Sequence, residues 1–411
     1  MHSLTNTVNP VRASYGYRSR SFPFLLLLGL YYPTAAGGSY TLLSVASFLI
    51  CLGLLATLIF TSPAKNDVRV MILLLSIVPL LFVFTATSPL PTLKLGASVG
   101  YGVLSVLLLT SVRDIKVQRW HHRLWIIVNV INLAAGIGIL MGIGAIDGLI
   151  IKYYSFSYQE MVPNMMIFHK PVVTFGTHSV AGFFWYLFFW INLEGYRLAR
   201  KRSLMVLSIC YLLLTLSLLS VTGLVLFCLG SIQLLGVTWM TARHRFLLAT
   251  AGVVLVVTTL FWGVKINWKD IFESAMQILK NPEGGLMARY LPGGTMYPNL
   301  EYLNVHPFLP VGFSYKADLL VGDSGIVEYL MRGSLPLLLL IYGGLYYFLR
   351  RNLWSKAQAY FLFFAFLFFE IGITTLIYIR TLLLLPAFVI YLNSFQQEQK
   401  EQPKSASWMA R

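Results

Sequence analysis

An all-α polytopic membrane protein, with about twelve transmembrane helices and one long outward loop, is the fold class the sequence predicts. Hydrophobic residues fill 57% of the 411 positions and charged residues only 11%, too little charge for a soluble surface of this size. The charges that exist gather in the connections between long apolar runs. A helix needs about 20 apolar residues to cross the hydrocarbon, where the backbone must satisfy its own hydrogen bonds. Runs that meet this need are 22–38, 40–61, 69–87, 93–112, 124–148, 176–193, 204–220, 222–241, 246–264, 325–349, 357–376 and 379–395.

Charge gives these spans a direction. Basic residues concentrate in alternate connections, such as Arg113 to Arg123, Arg197 to Arg202 and Arg350 to Lys356, and the opposite connections are longer and far less basic. The positive-inside rule then puts both termini in the cytoplasm. The same rule accounts for the net charge of +16 without a nucleic-acid partner, which would call for a basic face on one domain. Cys51, Cys210 and Cys228 all lie inside apolar runs, so neither a disulfide framework nor a thiolate metal site is expected. The basic N-terminus leads into the first apolar run with no convincing small-residue cleavage site, and an uncleaved first span is expected.

The organisation follows. Residues 1–264 carry the first nine spans, with a short outward loop at 149–177; 265–324 form the long outward loop; 325–395 carry the last three spans; 396–411 are a cytoplasmic tail. Within the long loop, WKDIFESAMQILK puts Ile271, Ala275, Ile278 and Leu279 on one helical face, which suits an amphipathic helix lying on the membrane surface. NPEGG, LPGG and YPN then break regular structure. A polar loop this long between spans is where chemistry can sit.

Arg289, in GGLMARYLPGG, can clamp a phosphate because guanidinium presents paired donors and keeps its charge; it can equally be an interfacial anchor. His306, in NVHPFLPVG, can act as acid, base or phosphate donor, or simply shape the loop. Asp323, in VGDSGIVEYL, is a functional candidate and also a good N-cap for the helix after it. Glu328 and Arg332, four apart, share a helix face and can pair within the membrane, where ionisable residues face the bundle interior. Arg380 has no acid within a turn on its own helix and suits an anionic ligand or the outer headgroups. His169, Lys170 and His178 form a cationic group at the mouth of the sixth span. Metal binding there would need converging carboxylates or further histidines, so anion contact is the chemistry expected and no metal or cofactor is.

The stretch VGDSGIVEYLMRGSLPLLLLIYGGLYYFLRR resembles the bacterial O-antigen polymerase and O-antigen ligase superfamily. Its members commonly show a histidine-proline, short turn, glycine element in a long periplasmic loop, here His306 to Gly312, followed by an Asp-Ser/Asn-Gly-aliphatic helix start, here Asp323 to Ile326. FGTHSVAGFFW is similar to the family's start of the helix after the first outward loop. The resemblance implies a GT-C-like fold and a metal-independent inverting glycosyltransferase that polymerises undecaprenyl-pyrophosphate-linked oligosaccharide repeats into O-antigen, capsule or exopolysaccharide. It would act at the periplasmic face of the inner membrane, amid membrane lipid, with a chain-length regulator as a further partner. Arg289, Arg380 and Lys170 would hold phosphates, and Asp323 or His306 would orient or deprotonate the acceptor hydroxyl. The family's first outward loop usually offers an arginine where this chain has His169 and Lys170. Ligases typically carry a His-Asn pair where Asp323 and Ser324 stand, which favours polymerase over ligase. A different class, a transporter or flippase of lipid-linked oligosaccharide, shares the span count but tends to carry repeats and paired broken helices.

Overall fold

The computed structural model describes residues 23–31, 68–90, 92–93, 96–113, 115, 117–154, 161–218, 220–239, 289–306, 309–316, 319 and 324–401, with isolated positions at 33, 46, 49–50, 52–53 and 56–57. The expected span 246–264, most of 40–61, the amphipathic segment, Asp323 and the end of the tail lie outside the described residues. The chain divides into two compact units. One comprises Met1–Tyr32, Val45–Leu124 and Glu301–Ser394, the other Pro33–Ser44, Trp125–Leu300 and Phe395–Arg411.

The described residues are helical almost throughout. In order come α1 (Val68–Leu75), α2 (Ile77–Thr87), α3 (Gly96–Leu108), α4 (Arg119–Leu140), α5 (Gly144–Tyr154), α6 (Met161–Ile167), α7 (His178–Ala199), α8 (Arg202–Ser217), α9 (Val221–Trp239), α10 (Tyr297–Val305), α11 (Gly325–Asn352), α12 (Lys356–Glu370) and α13 (Ile379–Glu401). A further helical stretch covers 23–31. The one extended feature among them is a two-residue antiparallel ladder, β1 (Thr92–Leu93) with β2 (Ser314–Tyr315), Thr92 opposite Tyr315.

Among the described residues, three stretches are long and apolar enough to cross a membrane: Val68–Thr87, Arg119–Leu140 and Gly325–Asn352. Their apolar side chains face outward as well as inward. Ile72, Val83, Ile131 and Leu339 are exposed, as are Ile232 and Leu235 on α9. Faces of this kind are stable against lipid and unstable against water. The start of α11 at Gly325 and of α13 at Ile379 agree with the expected spans, and α7 begins at His178. The run 69–87 continues through Ser76, which stays αR with its N–H on the Ile72 carbonyl at 2.9 Å. Two expected spans prove interrupted: 124–148 divides between α4 and α5 around Gly142, whose φ of 66° ends α4, and α11 is the more informative.

In the second unit α7, α8 and α9 pack against one another. A tight turn joins α7 to α8, with Arg200 left-handed at φ 56° and its N–H on the Tyr196 carbonyl. Polar side chains lock the interior. Trp125 Nε1 donates to Asn192 Oδ1 at 2.8 Å, Asn192 Nδ2 to Asn129 Oδ1 at 2.7 Å, and the Tyr211 hydroxyl to the Asn129 carbonyl at 3.2 Å. Such bonds between helices offset the weak drive for apolar helices to associate within lipid.

In the first unit α11 packs on α1, α2, α3 and α12 and breaks in its first half. Gly333 (φ −147°, ψ 18°) and Ser334 (φ 54°, ψ −162°) are not helical, and Pro336 follows. Proline has no N–H to offer the carbonyl four residues back, which is Arg332. The loop supplies what the helix lost: Gly312 N–H donates to the Arg332 carbonyl and Val311 N–H to the Met331 carbonyl, both at 2.9 Å. Gly312 adopts φ 57°, and a β-carbon there would overlap the Leu81 carbonyl and the Thr85 hydroxyl. Glycine is therefore the residue that fits. Phe313 N–H then bonds Thr85 Oγ1 at 2.8 Å, so the loop is seated on α2 as well. Gly312→Ala should destabilise the chain by at least about 2 kcal/mol, read as a lowered Tm in detergent; a wild-type Tm would show that the loop does not dock at the break.

Candidate functional site

The expected site residues fall into two groups, one in each unit. In the second unit the turn between α6 and α7 is held by backbone and side-chain hydrogen bonds. Lys170 N–H bonds the Met165 carbonyl at 2.9 Å and the Lys170 carbonyl accepts from Val172 N–H at 2.7 Å. Trp185 Nε1 holds the Pro171 carbonyl at 2.9 Å, and Phe175 stacks on Phe184 with ring centroids 4.3 Å apart. His169 and Val173 adopt positive φ, 51° and 46°, as does Gly176 at 81°. Thr177 caps α7, its Oγ1 accepting from Val180 N–H at 3.3 Å. His178, the first residue of this 22-residue helix, therefore stands at the positive end of the helix dipole.

Lys170 and Arg289 both lie close enough to His178 for their charges to act on its imidazole. Residues more than a hundred positions apart in sequence are thus gathered at one helix start. Arg289 is half-buried at the head of a turn, its carbonyl accepting from Met296 N–H at 2.8 Å while Gly293 takes φ 87°. His178 Nδ1 is buried with no hydrogen-bond partner. Burial holds the Lys170 amine below its ordinary value of 10.5, because desolvation penalises the charged form. His169 turns away from this group. Its ring lies against Gly142 and interacts electrostatically with Asp147.

The first unit has a different character. Glu328 and Arg332 form an ion pair at 2.9 Å with almost no exposure. Arg332 also donates from Nη1 to the Gly312 carbonyl at 2.8 Å and lies 5.9 Å from the ring centre of Tyr101. Glu328 Oε2 accepts from the Thr374 hydroxyl. The expectation that this pair touches substrate gives way to a packing role, since each charge is neutralised by the other and by the loop. Arg380 is fully buried, and its Nη1 donates to the carbonyls of Gly29 and Leu30 at 3.1 and 2.6 Å. A cation at the end of the 23–31 helix satisfies carbonyls that have no partner within that helix, so Arg380 also holds helices together rather than lining an open phosphate site. His306 follows α10, half-buried, its ring 5.0 Å from that of Tyr302.

At the start of α11 the N-cap is Ser324, not Asp323. Ser324 is extended (φ −152°, ψ 122°), its Oγ accepts from Val327 N–H, and it donates to the Glu370 carbonyl at 3.2 Å. Asp323 is not needed as a cap, which leaves its carboxylate to be explained otherwise.

Glu370 is not among the residues the sequence singled out. It is fully buried in the apolar run FLFFAFLFFEIG, and a carboxylate within such a run is itself the signal. Among the described residues no group of three or more His, Cys, Asp or Glu gathers to hold a metal. No family model, curated protein or solved structure matches the chain.

The lowered value of Lys170 sets a pH test with inorganic pyrophosphate as the probe. The cation is lost as pH rises through a value below 10.5, so binding should weaken at lower pH than an ordinary lysine would allow. Lys170→Arg keeps its charge and should hold affinity to higher pH; parallel loss in both proteins would remove Lys170 from the anion site.

Proposed function

We propose that the chain is a polytopic membrane glycosyltransferase that polymerises lipid-pyrophosphate-linked oligosaccharide repeats at the outer face of a bacterial inner membrane. One observation carries the reading: the charges of Lys170 and Arg289 both act on His178 at the start of α7, so two cations and a helix N-terminus face the place a pyrophosphate would occupy. About twelve spans with both termini cytoplasmic, the topology the distribution of basic residues favours, would put both long loops on the side where lipid-linked repeats are displayed. The resemblance of His306–Gly312 and Asp323–Ile326 to the polymerase and ligase superfamily agrees with it.

In this reading an acceptor hydroxyl attacks the anomeric carbon of the donor sugar. A glycosidic bond forms as the bond to the lipid pyrophosphate breaks, and configuration inverts. Asp323 takes the hydroxyl proton, with His306 the second candidate. The leaving pyrophosphate carries the departing electron pair, and Lys170, Arg289 and the first-turn amides of α7 stabilise the developing charge. No resident metal is required in this scheme.

Transport is the reading that the break in α11 would favour, because transporters line their sites with unwound helix. Here the carbonyls freed at the break are taken by Val311 and Gly312 and are not offered to a cargo.

Deleting the gene and complementing it with the intact chain or with Arg289→Ala, Lys170→Ala or Asp323→Ala tests the proposal, with membrane abundance matched. Loss of long surface glycan with single repeats retained is expected without the gene; Arg289→Ala and Lys170→Ala should each lower polymer yield by about 10², the loss for one charge-stabilising donor, and Asp323→Ala by about 10² or more, the loss for a general base. Full-length polymer that builds up on its carrier and never reaches its acceptor would make the chain a ligase. Lipid-linked repeats trapped at the inner face would make it a transporter.

A further inference from the structure

Two helices of the second unit gauge depth in the membrane, and they agree. α4 has 22 residues, a length of about 33 Å that matches the roughly 30 Å of bilayer hydrocarbon. With Arg119 and Arg123 at its cytoplasmic start, Gly142, just past its end, stands at the outer edge of the hydrocarbon. α7 runs beside α4 in the opposite direction, tied to it where Asn192 Nδ2 bonds Asn129 Oδ1 at 2.7 Å. About two turns farther out along each helix lie Trp185 and Gly136, both about 9 Å inside the level of Gly142.

Pro171 meets both of these residues. Trp185 Nε1 donates to its carbonyl at 2.9 Å, and a β-carbon at Gly136 would lie 3.6 Å from its Cβ. The His169 ring, by contrast, lies against Gly142 itself. From His169 the chain therefore descends to Pro171 and climbs back to Thr177, the cap of α7. Backbone that is not helical stands at such depth only where protein encloses it and its polar groups are bonded. This turn meets both conditions: residues 171–176 are all buried, and Val172, Phe175 and Thr177 donate their N–H groups to the carbonyls of Lys170, Val172 and Phe175.

The limb that leads into the turn has the opposite surface. Ile167 and Phe168 are 69% and 68% exposed, directly before the descent. At the same depth α4 exposes Ile137, and deeper still Ile131, so the two apolar side chains extend a face that already meets lipid. In water that exposure would be costly. Lys170 follows, and its charge acts on His178 at the outer end of α7.

We propose that residues 161–177 form a re-entrant segment: α6 enters the outer leaflet with Ile167 and Phe168 in its hydrocarbon, and the chain returns through the enclosed 171–177 turn. The outward loop expected at 149–177 thus ends within the membrane. Lys170 reaches the phosphate layer on its apolar stem, where a phosphate carried by a membrane lipid meets it without leaving the leaflet. That last step rests on the polymerase reading; the depth of the segment does not.

The test uses the full chain in phosphatidylcholine liposomes, with Cys51, Cys210 and Cys228 replaced by alanine and Phe168→Cys carrying an environment-sensitive fluorophore. Lipids with a nitroxide at the headgroup or along the acyl chain report its depth, and Ile131→Cys is the deep reference. The label at position 168 should lie about 5–10 Å below the headgroups, the depth of an interfacial apolar face, and the label at position 131 about 15 Å below, near the bilayer centre. Iodide in the outer solution should quench the label at 168 far less than the free fluorophore. Ile167→Cys takes the place of Phe168→Cys if that chain does not accumulate. Quenching by iodide as strong as for the free fluorophore puts Phe168 in water, and quenching by neither reagent puts it under protein; either result overturns the re-entrant segment. A label at the expected depth in a chain that makes no polymer upholds the segment and overturns the polymerase, and a label in water in a chain that polymerises does the reverse.

Discussion

A helix that breaks inside a membrane must find donors for the carbonyls it frees, because no water is there to take them. The first unit is built on that requirement. Pro336 and the non-helical Gly333 and Ser334 free the carbonyls of Met331 and Arg332, and the amides of Val311 and Gly312 complete them. The placement of residues 311–313 is therefore dictated by α11. Arg332 adds a second tie by holding the Gly312 carbonyl, and Glu328 neutralises it from one turn earlier. Close approach to α2 and a positive φ leave glycine as the residue at 312.

The two units treat charge in opposite ways. In the first, each buried cation is used within the fold: Arg332 on Glu328 and the loop, Arg380 on helix-end carbonyls. In the second, Lys170 and Arg289 bring two positive charges to bear on His178, which starts α7 after a turn held by Trp185 and the Phe175–Phe184 stack.

Periodicity and charge made the helices legible, and the starts of α7, α11 and α13 were readable to within a residue or two because Thr, Ser and a polar turn mark them. The Glu328–Arg332 pair was also readable, since spacing of four on one helix is a local property. Three things were not. The break in α11 hides in an apolar run, where Gly333, Ser334 and Pro336 read as tolerated within a span. Ser324 rather than Asp323 caps α11 because Ser324 also bonds the Glu370 carbonyl, a contact 46 residues away. The roles of Arg332 and Arg380 depend on which carbonyls come near, and those of Gly29, Leu30 and Gly312 are brought there only by packing.

The most direct measurement is elongation by the purified chain in proteoliposomes, given a lipid-pyrophosphate-linked repeat unit and a chelator of divalent metals. We expect a ladder of lengthened lipid-linked glycans that disappears with Arg289→Ala. Passage of the unit across the bilayer without any lengthening would contradict the proposed function.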